Sequence, residues 1–311
     1  MMKRRPVKDI ELRGKDSVSE LVEQFADMGG FLSVKIDKAS KIIKEMNSKE
    51  CTKFLSFPAN IIATGTRGVI GTMIDRDLVD VIVTTCGTLD HDLARVLTDY
   101  YHGDFNMDDA ELRDKGVNRL GNVLVPDTSY GIPIEKWMQP FLKEIYNEKE
   151  RWVPCEIWKR MGDRMSKEER GTQSLLAKCA EKNVPVFVPG LTDGAVGSQL
   201  WQFWQDHKKF TLDILREQHM LSDLIYEAEE TGALMIGGGI SKHHTIWWNQ
   251  FRGGLDYVVQ ITTAPEWDGS LSGARVKEAV SWGKVKHGAE YVTLEGDATV
   301  ILPILISSIL N

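Results

Sequence analysis

The chain has 311 residues, 42% hydrophobic and 27% charged, which excludes a disordered or fibrous protein and allows one large buried core or two small ones. A formal net charge of −7 without a long basic run argues against a nucleic-acid ligand. Cys51, Cys86, Cys155 and Cys179 show no CxxC spacing, so they read as free thiols in a reducing compartment, with neither a disulfide framework nor a metal site. The basic segment 1–13 lacks an apolar stretch behind it and does not read as a signal peptide. Residues 1–46 carry a helical stretch at 17–28 and no strand, and form an N-terminal helical extension. Strand-like runs follow at 53–57, 80–85, 122–125, 184–188, 233–236, 256–261 and 291–294. Helical patterns lie at 89–101, 135–148, 171–182 and 210–230. The apolar run 300–310 is shorter than the roughly 20 residues a bilayer requires. It reads as a closing helix with Asp297 or Thr299 near its start and Pro303 close to its first turn. Strands alternating with helices predict an α/β fold: a doubly wound, mostly parallel sheet covered on both faces, in one domain over 47–311. A cytoplasmic protein without a membrane span is expected.

The turns after these strands gather glycines, hydroxyls and amides: 58–67, 84–92, 189–197, Gly237-Gly-Gly-Ile-Ser-Lys-His-His244, 262–264 and 295–298. Ligands of open α/β sheets bind beyond the carboxyl ends of the strands, and such turns suit a dinucleotide whose phosphates meet backbone N–H groups. The triple glycine departs from GxGxxG because Lys242 stands in the third glycine's place, and the chain has no P-loop.

Glu278-Ala-Val-Ser-Trp-Gly-Lys284 places a lysine after a glycine, beside a tryptophan and a carboxylate. A lysine amine attacks only as the free base, a form that apolar surroundings favour. The bland alternative is an amphipathic helix ending at Gly283 with Lys284 a solvated charge. Likewise His243 reads either as a proton carrier or as a packed histidine at a helix start, Glu278 as an amine partner or a solvated charge, and Trp282 as a ligand wall or core.

Gly237 to His244, Asp268-Gly-Ser-Leu-Ser-Gly-Ala-Arg275 and Glu278 to Lys284 together resemble deoxyhypusine synthase, in an archaeal-like form. Leu191-Thr-Asp-Gly194, Asn118-Arg-Leu-Gly-Asn122 and Val123-Leu-Val-Pro126 support the resemblance, which runs from about residue 54 to the end of the chain. It implies a Rossmann-like core and an NAD-dependent transfer of the aminobutyl group of spermidine to one lysine of the hypusine-bearing translation initiation factor. It also implies a homotetramer with interfacial active sites, and an N-terminal segment that can cover the entrance. By motif position Lys284 would carry the butylamine as a covalent imine, with His243 moving a proton. Asp90, Gly269, Ser270, Glu278 and Trp282 would bind the amine. Asn60, Thr85, Cys86, Gly87, Asp193, Gly238, Thr263, Ala264, Asp297 and Ala298 would hold NAD. Asp193 and Asp297 would take ribose hydroxyls, unless they serve as N-caps. His91, Ser198 and Leu271 stand where eukaryotic members have acidic residues, which opens the alternative of another polyamine donor or a small amine acceptor, as in homospermidine formation. Further alternatives are a catalytically silent NAD-binding paralogue and an unrelated pyridoxal phosphate enzyme.

Overall fold

Four parallel strands organise the first of two units, Met1–Ser56 with Leu224–Asn311. Their order is Val285–Glu295, Leu255–Thr262, Glu230–Ile236, Cys51–Ser56. The computed structural model describes residues 5–310. Every residue from Thr231 to Ile236 and from Tyr257 to Thr262 is buried. Successive side chains point to opposite faces, so unbroken burial means that both faces of these strands are covered. The α/β class and the mostly parallel pairing are thus as the sequence predicts.

Helix Ser33–Ser48 lays Ile36, Ala39, Ile43 and Met46 on this sheet at helical spacing. Met46 fills the space above Gly232, where an added Cβ would come within 2.6 Å of the methionine Cε. The helix expected at 17–28 forms as Val18–Met28, with Ser17 and Glu20 in a capping box and Gly29 ending it at φ 68°. The closing helix is Ala298–Ser307, whose N-cap Asp297 accepts from the Thr299 N–H at 2.8 Å. Pro303 lies in the middle of that helix rather than in its first turn. Burial of Ile301, Leu302, Leu305 and Ile306 around it offsets the backbone bond a proline removes.

The second unit is Phe57–Asp223. Strand Val81–Val83 pairs in parallel with Val186–Phe187, and helices supply most of the remaining core. The run at 122–125 does become a strand, Val123–Pro126, but outside the parallel pattern. It pairs antiparallel with Val117–Leu120 and Tyr101–His102 in a separate three-stranded sheet. The cause is a two-residue turn, Gly121-Asn122 with Gly121 at φ 61°, which makes a hairpin instead of a crossover. Helices Pro154–Met165 and Leu175–Lys182 approach so closely that a Cβ at Gly162 would lie 2.1 Å from the Leu176 carbonyl oxygen.

A buried charge joins three segments of this unit. Asp92, 0% exposed, accepts from Ser174 Oγ at 2.8 Å and from the Leu175 and Leu176 N–H groups, both at 3.0 Å. Its other partner is the buried Arg67 guanidinium at 3.3 Å. All four cysteines are buried thiols. Among the described residues no helix is long and apolar enough to cross a membrane.

Candidate active site

Helix Val276–Ser281 stops in a Schellman turn that delivers Lys284 to its place. Gly283 adopts φ 67°, its N–H donates to Val280 O, and the Lys284 N–H reaches back to Ala279 O, both at 3.0 Å. This is the 5→2 and 6→1 pair that ends a helix on a left-handed glycine. The Lys284 carbonyl then accepts from Leu255 N at 3.1 Å, and strand Val285–Glu295 begins. Nothing lies within 4 Å of a Cβ at Gly283, so only its backbone angle demands glycine. Gly283→Ala should therefore cost about 1 kcal/mol of stability. It should lower activity by more than that loss explains, because the strained turn displaces the lysine. Chemical denaturation alongside turnover separates the two effects.

Lys284 is buried at 8% exposure, against the solvated lysine of the bland reading. Its Nζ lies 3.5 Å from His243 Nε2, 5.1 Å from the Trp282 ring centre and 5.4 Å from that of Trp247. These groups line a cavity of about 300 Å³ together with Glu278, Lys242, Leu271 and Arg275. Four sequence candidates, Lys284, His243, Glu278 and Trp282, therefore share one pocket within the first unit. Trp282 is 66% exposed and so is not core. His243 is held below the ordinary histidine range because burial disfavours the imidazolium, with the neighbouring Lys284 adding to the effect. The arrangement sets an amine, an imidazole, a carboxyl group and two aromatic faces around one small space.

Trp247 and Lys242 are among the lining residues that escaped sequence reasoning. Trp247 sits one turn after His243 on helix Gly239–Asn249, and that i, i+4 spacing was the available signal. Lys242 is 2% exposed and donates to the carbonyls of Leu271 at 2.8 Å and Ala274 at 2.5 Å. Burial brings its pKa down to about 8, with Glu278 opposing the shift. The residue that breaks the glycine fingerprint thus pins the loop carrying Gly269 and Ser270. That loop is also held by Thr262 Oγ1 on Ser272 O at 2.9 Å, and a Cβ at Gly238 would strike Ser272 Cα at 2.3 Å. Gly269 and Ser270 themselves are exposed and form a turn, in which the Ser270 N–H donates to Asp268.

Gly238, Thr263, Ala264, Asp297 and Ala298 follow the carboxyl ends of three adjacent strands of the first unit. In the second unit, Thr85, Cys86 and Gly87 follow one strand of the parallel pair and Asp193 follows the other. Asn60 is exposed beside them, where the Ala59 N–H donates to Thr85 Oγ1 at 3.1 Å. A Cβ at Gly87 would meet that of Ala59 at 2.8 Å. Asp193 is exposed and caps no helix, whereas Asp297 is the N-cap described above. Asp90 is fully buried and accepts from Tyr130 OH, Ala195 N and Val196 N at 2.7–2.8 Å. Its carboxylate thus caps helix Ala195–Asp206. Burial pushes Asp90 upward, against the hydrogen bonds that favour its anion.

His91 donates to or accepts from Tyr100 OH at 2.9 Å and is lowered to about 4 by burial, so it packs as a neutral ring. Ser198 is exposed and bonds back to Gly194 O within its helix. Of the three departures only Leu271 lines the cavity.

The deoxyhypusine synthase family model matches residues 20–309. Proteins named probable deoxyhypusine synthase from Picrophilus torridus and Thermoplasma acidophilum are each 53% identical to this chain. The first is covered over 99% of this chain and 98% of its own length, the second over 98% and 97%. One from Ignicoccus hospitalis is 44% identical, over 99% of this chain and 96% of its own. A crystal structure from Entamoeba histolytica, provisionally assigned as deoxyhypusine synthase, superposes with a TM-score of 0.65 at 20% identity, covering 97% of this chain and 96% of that one. AgrE in ternary complex with ornithine and NAD+ gives a TM-score of 0.53 at 12% identity, over 89% of this chain and 32% of that one. At such identities the two structures speak for the fold. The family match and the near-full-length relatives speak for descent, and on them the chain belongs to the deoxyhypusine synthase family.

Proposed function

We propose that this deoxyhypusine synthase transfers the aminobutyl group of spermidine, with NAD as cofactor, to a lysine of the hypusine-bearing translation initiation factor through an imine on Lys284. The observation that carries this reading is the buried Lys284 amine 3.5 Å from His243 Nε2 in a cavity that also holds Glu278. The lysine supplies the covalent carrier: its nitrogen bonds the oxidised donor carbon as the bond to diaminopropane breaks, and the acceptor lysine later displaces it. His243, neutral near pH 7, takes the proton that the attacking nitrogen must lose. Glu278 pairs with a donor ammonium, and Trp282 and Trp247 offer it their ring faces.

The chain's residues fit NAD. Helices Cys86–Leu97 and Gly239–Asn249 each begin without a side-chain cap, leaving N–H groups for phosphates, and the Asp193 carboxylate is exposed for ribose hydroxyls. When bound, NAD would accept hydride from the carbon beside the secondary amine of spermidine and return it at the end. Asn60, Thr85, Cys86, Gly87, Asp193, Gly238, Thr263, Ala264, Asp297 and Ala298 would hold it. Asp90 then acts by fixing the turn that bears Asp193. The reading includes a cytoplasmic homotetramer with interfacial sites.

The test is release of diaminopropane from spermidine with NAD, measured with and without the initiation factor. Release by the protein alone, with aminobutyl transfer on adding the factor, is the expected result. No release from spermidine, with cofactor reduction by another polyamine, would replace the donor and point to the apolar Leu271 wall. Transfer to a small amine in preference to the factor would replace the acceptor.

A further inference from the structure

His243 lacks the partner that usually orients a working histidine. Among the described residues its ring makes one hydrogen-bond contact, the 3.5 Å approach to Lys284, and no carboxylate or carbonyl holds its other nitrogen. Such a ring turns about its side-chain torsions unless packing stops it. The packing comes from Trp247. Its indole lies against the imidazole at 5.6 Å between ring centres and 29° between planes. Trp247 in turn meets Phe251 edge-on at 6.1 Å. Positions 243, 247 and 251 thus form an aromatic row at successive helical turns.

We propose that Trp247 is the positioning residue of His243: stacking, in place of a hydrogen bond, aims imidazole Nε2 at the Lys284 amine. The inference rests on the reaction assigned above only for its kinetic consequence. The same indole keeps water from one face of the imidazole, consistent with the depressed histidine. The charged and titratable groups around the ring are Lys284 at the head of its strand, Arg275 and Glu278 across the cavity, and Lys242 and His244 on its own helix. Lys242 is turned onto two carbonyls, and Lys284 is the one of these groups that itself lies over the Trp247 ring, at 5.4 Å.

The experiment compares the full chain with Trp247→Phe and Trp247→Leu. Histidine ring resonances are titrated by NMR in the absence of substrate, and the pH profile of diaminopropane release is recorded separately. Leucine keeps an apolar side chain at a position 41% exposed but cannot stack. Trp247→Leu should let His243 titrate at higher pH, move the acid limb of activity upward with it, and lower kcat about tenfold, a part of what general-base catalysis supplies. Trp247→Phe should restore most of each. A uniform loss of rate at every pH, with His243 titrating as in the native chain, would overturn the proposal, since that is what a purely structural role predicts. A moved titration with an unmoved pH profile would uphold the positioning role and remove His243 from the reaction instead.

Discussion

Lys284→Arg is expected to lower aminobutyl transfer by at least about 10³-fold while leaving the chain folded, because single nucleophile removals cost this much or more. Arginine keeps the positive charge, the aliphatic stem and the contacts with Trp247 and Trp282, so it tests nucleophilicity rather than charge or packing. A guanidinium stays protonated at any working pH and forms no imine. Lys284→Ala should be equally inactive. Borohydride reduction during turnover should leave an aminobutyl group on the native protein at residue 284 and none on either variant, as read by peptide mass spectrometry. Near-native transfer by either variant would remove the covalent step and the mechanism with it.

The largest expected effect on stability is at Asp92, far from Lys284 in the chain. Asp92→Ala leaves the Arg67 guanidinium buried without its carboxylate and strips the cap from the N–H groups of Leu175 and Leu176. Breaking a buried pair from one side costs about 3–5 kcal/mol, and that would be a large share of the stability of an ordinary domain. Denaturant melts should show the loss, and Asp92→Asn should recover part of it by still accepting one or two of these bonds. A loss below about 1 kcal/mol, the scale of an exposed pair, would show that water reaches Arg67.

Much of this was legible in the sequence, for identifiable reasons. Long apolar strands such as 230–236 and 255–262 declare themselves because both faces are buried, so no polar alternation dilutes them. Ser17 with Glu20 and Gly29 marks a helix by local chemistry alone, and Gly283 marks the end of another. What escaped was decided by one local backbone angle or by distant partners. The apolar run at 123–126 reads the same whether a crossover or a hairpin follows, and one glycine at positive φ settles it. Helix Ser33–Ser48 has a mixed composition and is recognisable mainly by the sheet it covers. At the site, two short segments, the one with His243 and the one from Glu278 to Lys284, supply four of the residues that line the cavity. Trp247 and Lys242 gain their roles only from the loop and lysine that the fold brings to them. Asp90 shows the converse limit: a carboxylate beside a glycine turn looks like a ligand, yet its oxygens are taken up by a helix start and a tyrosine.

If the proposed reaction holds, the turn at Gly283 sets how cleanly the intermediate on Lys284 is handled. Lys284 is fastened through its own N–H to Ala279 and through its own carbonyl to Leu255, so the carrier residue can move only by its side-chain torsions. In the proposed reaction a butylamine bound to its nitrogen would thereby be confined to a small volume, and once the acceptor lysine is bound its next reaction would be intramolecular in character. Well-oriented partners in that regime behave as if present at about 10⁵ M or more, against which bulk water and free amines compete poorly. On that mechanism, fidelity of delivery would be set as much by two backbone hydrogen bonds as by the shape of the pocket.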